Sequence, residues 1–173
     1  HPAVWDRLPS QGLPGFYHEP EGQAIEMTSG NTIATAAALA KVMACLAAGG
    51  VIECGVDGGS SGSSGSHPAR SLCRKETLEM AVGEPVVARD AALFSDTVFT
   101  RGGWNLDEED KESGEVLAGQ TGWMGWGGSV LNFNMRHGGV AVSYLVSGMG
   151  PDAGDSRAGD LQKAINKCVL ALE

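Results

Sequence analysis

Two short runs of alternating side chains near the C-terminus constrain this chain more than anything else in it. Ser129 to Asn134 and Val140 to Val146 are strand candidates joined across Met135-Arg136-His137-Gly138-Gly139. A glycine-containing loop of that length between two strands predicts a β-hairpin. In the second strand Val140, Val142, Tyr144 and Val146 fall on one face, since successive side chains point to opposite sides. A helix should follow, capped by Asp155 or Ser156, with Leu161, Ala164, Ile165, Cys168, Val169 and Leu172 as its apolar stripe. A hairpin closed by an amphipathic helix points to an α+β fold, with helices flanking an antiparallel sheet. Two strands make a poor sheet, so a further strand is expected from outside this chain, and the domain spanning 1–173 is expected to be incomplete.

Upstream, a second helix is expected from Thr35 as N-cap to Gly49-Gly50, with Leu39, Val42, Met43 and Leu46 at helical spacing. Arg74 to Val82 suits a short helix and Thr97 to Thr100 a strand leading to Gly102-Gly103-Trp104. Residues His1 to Thr28 hold four of the seven prolines and read as an extended lead-in. Between Gly55 and Pro68 the chain is a Gly/Ser tract, too poor in apolar side chains to offset its ordering entropy, and is expected to be a surface insertion. The acidic stretch at about 107–115 reads as a solvated loop.

The formal charge of −9 excludes the basic footprint needed for phosphate backbones, so no nucleic-acid partner is expected. It equally disfavours a polybasic membrane anchor, and no apolar run is long enough to span a bilayer. The four cysteines are scattered, with no Cys-x-x-Cys pair. Cys45 and Cys168 are expected on apolar helix faces as small hydrophobes, which favours a reducing, intracellular or organellar compartment. The four histidines (His1, His18, His67, His137) have no metal-ligand spacing, and His137 reads as a hairpin-loop residue. No metal or cofactor is expected. Gly58-Gly59-Ser60-Ser61-Gly62 spells the nucleophile-elbow string but lacks the strand and helix that expose its serine.

The stretch Gly122-Trp123-Met124-Gly125-Trp126-Gly127-Gly128-Ser129-Val130 enters the hairpin directly, and such glycines allow a ligand to approach the backbone closely. With the segments around it, it carries a resemblance. Ser29 to Gly50 is similar to the turn and alanine-rich helix of serine β-lactamase-like proteins. Trp123 to Val130 resembles their later glycine-rich stretch, Gly139 to Met149 the strand after it, and Gly154-Asp155-Ser156-Arg157-Ala158 the opening of their final helix. The four matches keep the family's order from Ser29 to the C-terminus. The chain thus resembles the C-terminal part of the serine β-lactamase and penicillin-binding-protein superfamily, of the class C-related, family VIII esterase type.

The resemblance implies an antiparallel sheet flanked by helices and acyl transfer through a serine activated by a lysine one helical turn on. Trp123-Met124-Gly125 would be the third motif, in its Trp-x-Gly form, lining the cleft. Trp126 would offer a backbone N–H to the oxyanion hole. The nucleophile motif is missing: no serine here has a lysine three residues later, and no Tyr-x-Asn occurs. Ser29-Gly30-Asn31 spells Ser-x-Asn but matches the helix-opening turn, and Ser147 stands where the family has asparagine. Trp123 in place of a cation removes the group that would hold a substrate carboxylate, which favours neutral esters or peptides. No catalytic residue is therefore expected within the chain. Its partners would be the missing N-terminal part of the same domain and a larger assembly. The alternative is a non-catalytic interaction domain that keeps the fold.

Overall fold

A computed structural model describes residues 19–26, 30, 32–52, 70–92, 94–107, 117–125, 127–148 and 156–173. The chain divides into two units, His1–Ala34 and Thr35–Glu173. The first contains one short helix, α1 (Pro20–Gln23), started by a proline whose absent N–H would have had no partner there.

In the second unit, α2 (Ala36–Ala47) forms where the alanine-rich run and its end signals place it. Thr35 Oγ1 accepts a hydrogen bond from the Ala38 N–H at 3.1 Å. At the other end the Gly50 N–H donates to the Cys45 carbonyl (2.7 Å) and the Gly49 N–H to that of Leu46 (3.0 Å). That pairing needs left-handed backbone, and both glycines supply it, with φ of 77° and 87°. Met43, Leu46 and Ala47 are buried, and Leu39 is half-buried. Val42, expected on the same face, is exposed. Thr35→Ala is expected to cost about 1 kcal/mol, read as a lower urea midpoint at unchanged slope; an unchanged midpoint would show that the cap adds nothing to the packed helix.

Strand β1 (Val51–Ile52) pairs antiparallel with β2 (Arg70–Ser71), and α3 (Lys75–Val82) follows with Leu78 buried. Six strands then form one antiparallel meander in chain order. They are β3 (Val86–Arg89), β4 (Asp96–Phe99), β5 (Asn105–Asp107), β6 (Gln120–Met124), β7 (Val130–Asn134) and β8 (Val140–Tyr144). The helix α4 (Ser156–Leu170) closes the chain.

The α+β class and the antiparallel sheet are as expected; the shortage of strands is not. Strands β3, β5 and β6 belong to this chain, so the hairpin needs no outside strand to become a sheet. They escape periodicity because they are short, and because β3 is exposed along its whole length and so has no alternation to display.

Register decides what covers each face. Phe133 pairs with Thr121 and Ala141, and Asn132 pairs with Gly122 and Val142. Neighbouring residues of a strand point to opposite faces. Phe133 packs with Met43, Leu46, Ala47 and Leu78, so α2 and α3 lie on its face. Asn132 donates through Nδ2 to Gln162 Oε1 at 3.1 Å, so α4 lies on the other. The sheet is sandwiched between helices.

Of the expected apolar stripe of α4 only Ile165 and Val169 are turned inward. Leu161, Ala164, Cys168 and Leu172 are exposed, Leu172 at 88%. Ile165 and Val169 are half-buried, while Ala158 and Asn166 are buried, Asn166 at 1% exposure. Gln162 Nε2 donates to Asn166 Oδ1 at 2.8 Å, continuing the bond from Asn132. A buried amide is costly unless bonded, so the strand's asparagine selects the helix's amides over its leucines. Cys168 is consequently exposed and Cys45 half-buried, against the expectation for both thiols. Asp155 and the Gly/Ser tract lie outside the described residues. Of the acidic stretch only residue 107, the end of β5, lies within them.

Candidate functional site

The glycine-rich turn is the tight link between β6 and β7. Met124 pairs with Val130 and Trp123 with Leu131, so the two residues stand on the last two rungs of the ladder. The Gly125 N–H donates to the Ser129 carbonyl at 2.7 Å, and the Gly128 N–H to the Gly125 carbonyl at 3.1 Å. Gly127 and Gly128 have φ of 89° and 109°, a conformation that side chains oppose, and both are buried. Ser129 Oγ accepts from the Val146 N–H at 3.3 Å, holding the chain beyond β8 against the turn.

Trp123 and Met124 remain 43% and 48% exposed on this rigid support. Trp123 stacks on Phe99, with ring centroids 5.7 Å apart and planes 23° apart, an arrangement that fixes the indole while leaving much of it accessible. The Phe99 position depends on its own turn: the Thr100 N–H donates to the Trp104 carbonyl (2.8 Å), and the Trp104 N–H to Thr100 Oγ1 (3.2 Å). Nothing in the local sequence pairs Phe99 with Trp123, because their contact depends on the order of strands in the sheet. Trp123 and Met124, as neighbours in β6, point to opposite faces of the sheet, so on its own face the indole stacked on Phe99 is the apolar surface that can orient a neutral ligand. Neither side chain can take or give a proton in acyl transfer.

Trp126, Ser29 and Asn31, and the Ser60-containing string, lie outside the described residues, as do His1, His18 and His67. His137 is a hairpin-turn residue as expected, with φ of 54°, and its Nδ1 lies 2.6 Å from Glu173 Oε1. Among the described residues no group of three or more His, Cys, Asp or Glu is placed to hold a metal ion, and no helix is long and apolar enough to cross a membrane.

A cavity of about 460 Å³ opens away from Trp123, at the other end of β6, between α3, β5 and the end of β7. It was not visible in the sequence, since its walls come from residues up to 54 positions apart, Val82 to Arg136. No protein-family model matches the chain, and no curated protein matches it either.

Proposed function

We propose that this chain is the C-terminal segment of a β-lactamase-related serine hydrolase, acting on neutral esters, amides or peptides, with its nucleophile motif outside these residues. The observation that carries the reading is the wall made by the exposed Trp123 indole, stacked on Phe99 at a strand end that leads into a turn of buried, positive-φ glycines. A wall of this kind positions an acyl group without forming bonds to it, and positioning contributes substantially to acyl-transfer rates. The Trp126 N–H, next in the chain, would serve as oxyanion donor. The antiparallel sheet between helices is compatible with this reading and belongs to other α+β folds as well.

A second reading, a non-catalytic interaction domain of the same architecture, draws on β3. Val86 and Val87 are 62% and 68% exposed on the edge strand of the sheet, and an uncovered apolar edge invites pairing with another chain.

A fluorescent fluorophosphonate separates the two. The 173 residues alone are expected to take up no label. A longer parent polypeptide is expected to be labelled on a serine outside them, and Trp123→Ala is expected to slow that labelling about tenfold, the effect of lost positioning. Labelling of a serine within the 173 residues would overturn the segment reading, and a parent that stays unlabelled would leave the interaction domain.

A further inference from the structure

We infer that the cavity beside Arg136 is a binding site for a small amphipathic monocarboxylate. It lies outside the Trp123 wall, and its test does not depend on acyl transfer.

The cavity's volume of about 460 Å³ falls within the range of about 300–1,000 Å³ usual for small-molecule sites. Val82, Leu106 and Met135 line it with apolar surface, and Arg136 is the one cation among the described residues of its lining. The guanidinium lies against the backbone of Gly119: a Cβ there would stand 3.0 Å from Arg136 Nε and 3.2 Å from Cζ. Gly119, at φ 86°, therefore leaves the space in which the planar group rests.

Two further observations select the ligand's charge. Among the described residues Lys75–Glu79, Arg89–Asp96, Arg101–Glu84 and His137–Glu173 form ion pairs, and no described carboxylate is paired with Arg136. The one carboxylate among the described lining residues, Glu84, is bound to Arg101 at 2.8 Å. A guanidinium beside the apolar Val82, Leu106 and Met135 side of a cavity is a fork for one carboxylate. One carboxylate matches the single guanidinium of the described lining, whereas a dianion such as phosphate would bring a second charge with no cation there to meet it. The apolar lining calls for a hydrocarbon body behind the carboxylate. In a chain of net charge −9, bulk electrostatics would repel such a ligand, so recognition has to be local to Arg136.

The test is a titration of ¹⁵N-labelled protein with hexanoate, its neutral counterpart hexanamide, and acetate. Hexanoate is expected to give saturable shifts at the amides of Gly83, Gly119, Thr121 and Arg136. Hexanamide and acetate are each expected to bind at least about tenfold more weakly, lacking the charge-assisted bond and the apolar body respectively. Arg136→Gln should lose about tenfold for hexanoate and leave hexanamide unchanged. Absence of saturable shifts at these amides overturns the proposal. Hexanamide binding as well as hexanoate removes the role of Arg136 and also overturns it, and acetate matching hexanoate reduces the site to a counter-ion and does the same. If Arg136→Gln unfolds the protein, the comparison of three ligands on the unmodified chain still decides.

Discussion

Phe133→Ala is expected to lower the free energy of unfolding by about 3–5 kcal/mol, the range for deleting a fully buried aromatic ring. Phe133 is 1% exposed and touches both halves of its layer. From the helices it meets Met43, Leu46, Ala47 and Leu78, with Leu131, Met135 and Ala141 packed around them. Within the sheet it meets Trp104 edge-to-face, at 5.5 Å and 89°. Its backbone is held on both sides by Thr121 and Ala141, so the strand cannot move to fill the space the ring leaves. The unfilled cavity adds its own cost to the lost transfer energy. Since a domain of this size has about 5–15 kcal/mol in total, the variant should be partly unfolded at 37 °C. Urea denaturation followed by tryptophan fluorescence measures it. A loss below about 1 kcal/mol would mean that α2 and α3 do not form a packed layer on this face.

Gly122→Ala is expected to cost about 3 kcal/mol or more, for a different reason. Gly122 lies mid-strand, where conformation alone would tolerate alanine. Its α-position faces β7 so closely that an added Cβ would run into the Asn132 side chain and the Leu131 carbonyl. The amide could rotate, at the cost of its bond to Gln162, but the carbonyl is part of the ladder and cannot yield without separating β6 from β7. Both responses loosen other elements. The first frees α4 from the sheet, and the second shifts Trp123 one residue on. Hydrogen exchange should therefore show faster exchange in α4 as well as a lower denaturation midpoint. Gly159→Ala is the control. It sits in α4 with nothing within 4 Å of an added Cβ, and should be neutral or stabilising by up to about 1 kcal/mol. Equal effects at the two glycines would show that helix propensity and strand packing are not being distinguished.

The proposed hydrolase reading and the Arg136 cavity sit at opposite ends of β6, so a variant that shifts this strand would affect both. Trp123→Ala and Arg136→Gln change side chains at the two ends and should act separately. Additivity of their effects on stability, within about 0.5 kcal/mol, is the expected result for sites without shared partners.

Local chemistry was enough to read α2, α3 and the β7–β8 hairpin. Thr35 caps its own helix three residues on, and Gly49-Gly50 ends it through left-handed backbone; Gly138 and Gly139 turn the hairpin in the same way. Each signal works across a few residues, where bonding geometry alone decides. The glycine-rich stretch after Trp123 stood out in the sequence as an opening to a strand, but that Gly127 and Gly128 turn β6 into β7 became visible only with β6 itself.

Everything that depended on a distant neighbour had to come from the tertiary structure. The sequence of α4 shows which of its faces is apolar, but only Asn132, 30 residues before Gln162, decides that an amide face is the one buried. A strand such as β3 has no pattern of its own, and it became visible only through the β4 residues that pair with it. The stacking of Trp123 on Phe99 and the cavity walled by Val82, Leu106 and Arg136 are products of strand order and register. Local backbone chemistry therefore determined where this chain turns and where its helices begin and end. Burial and pairing, which depend on what each face meets, were decided by the assembled sheet.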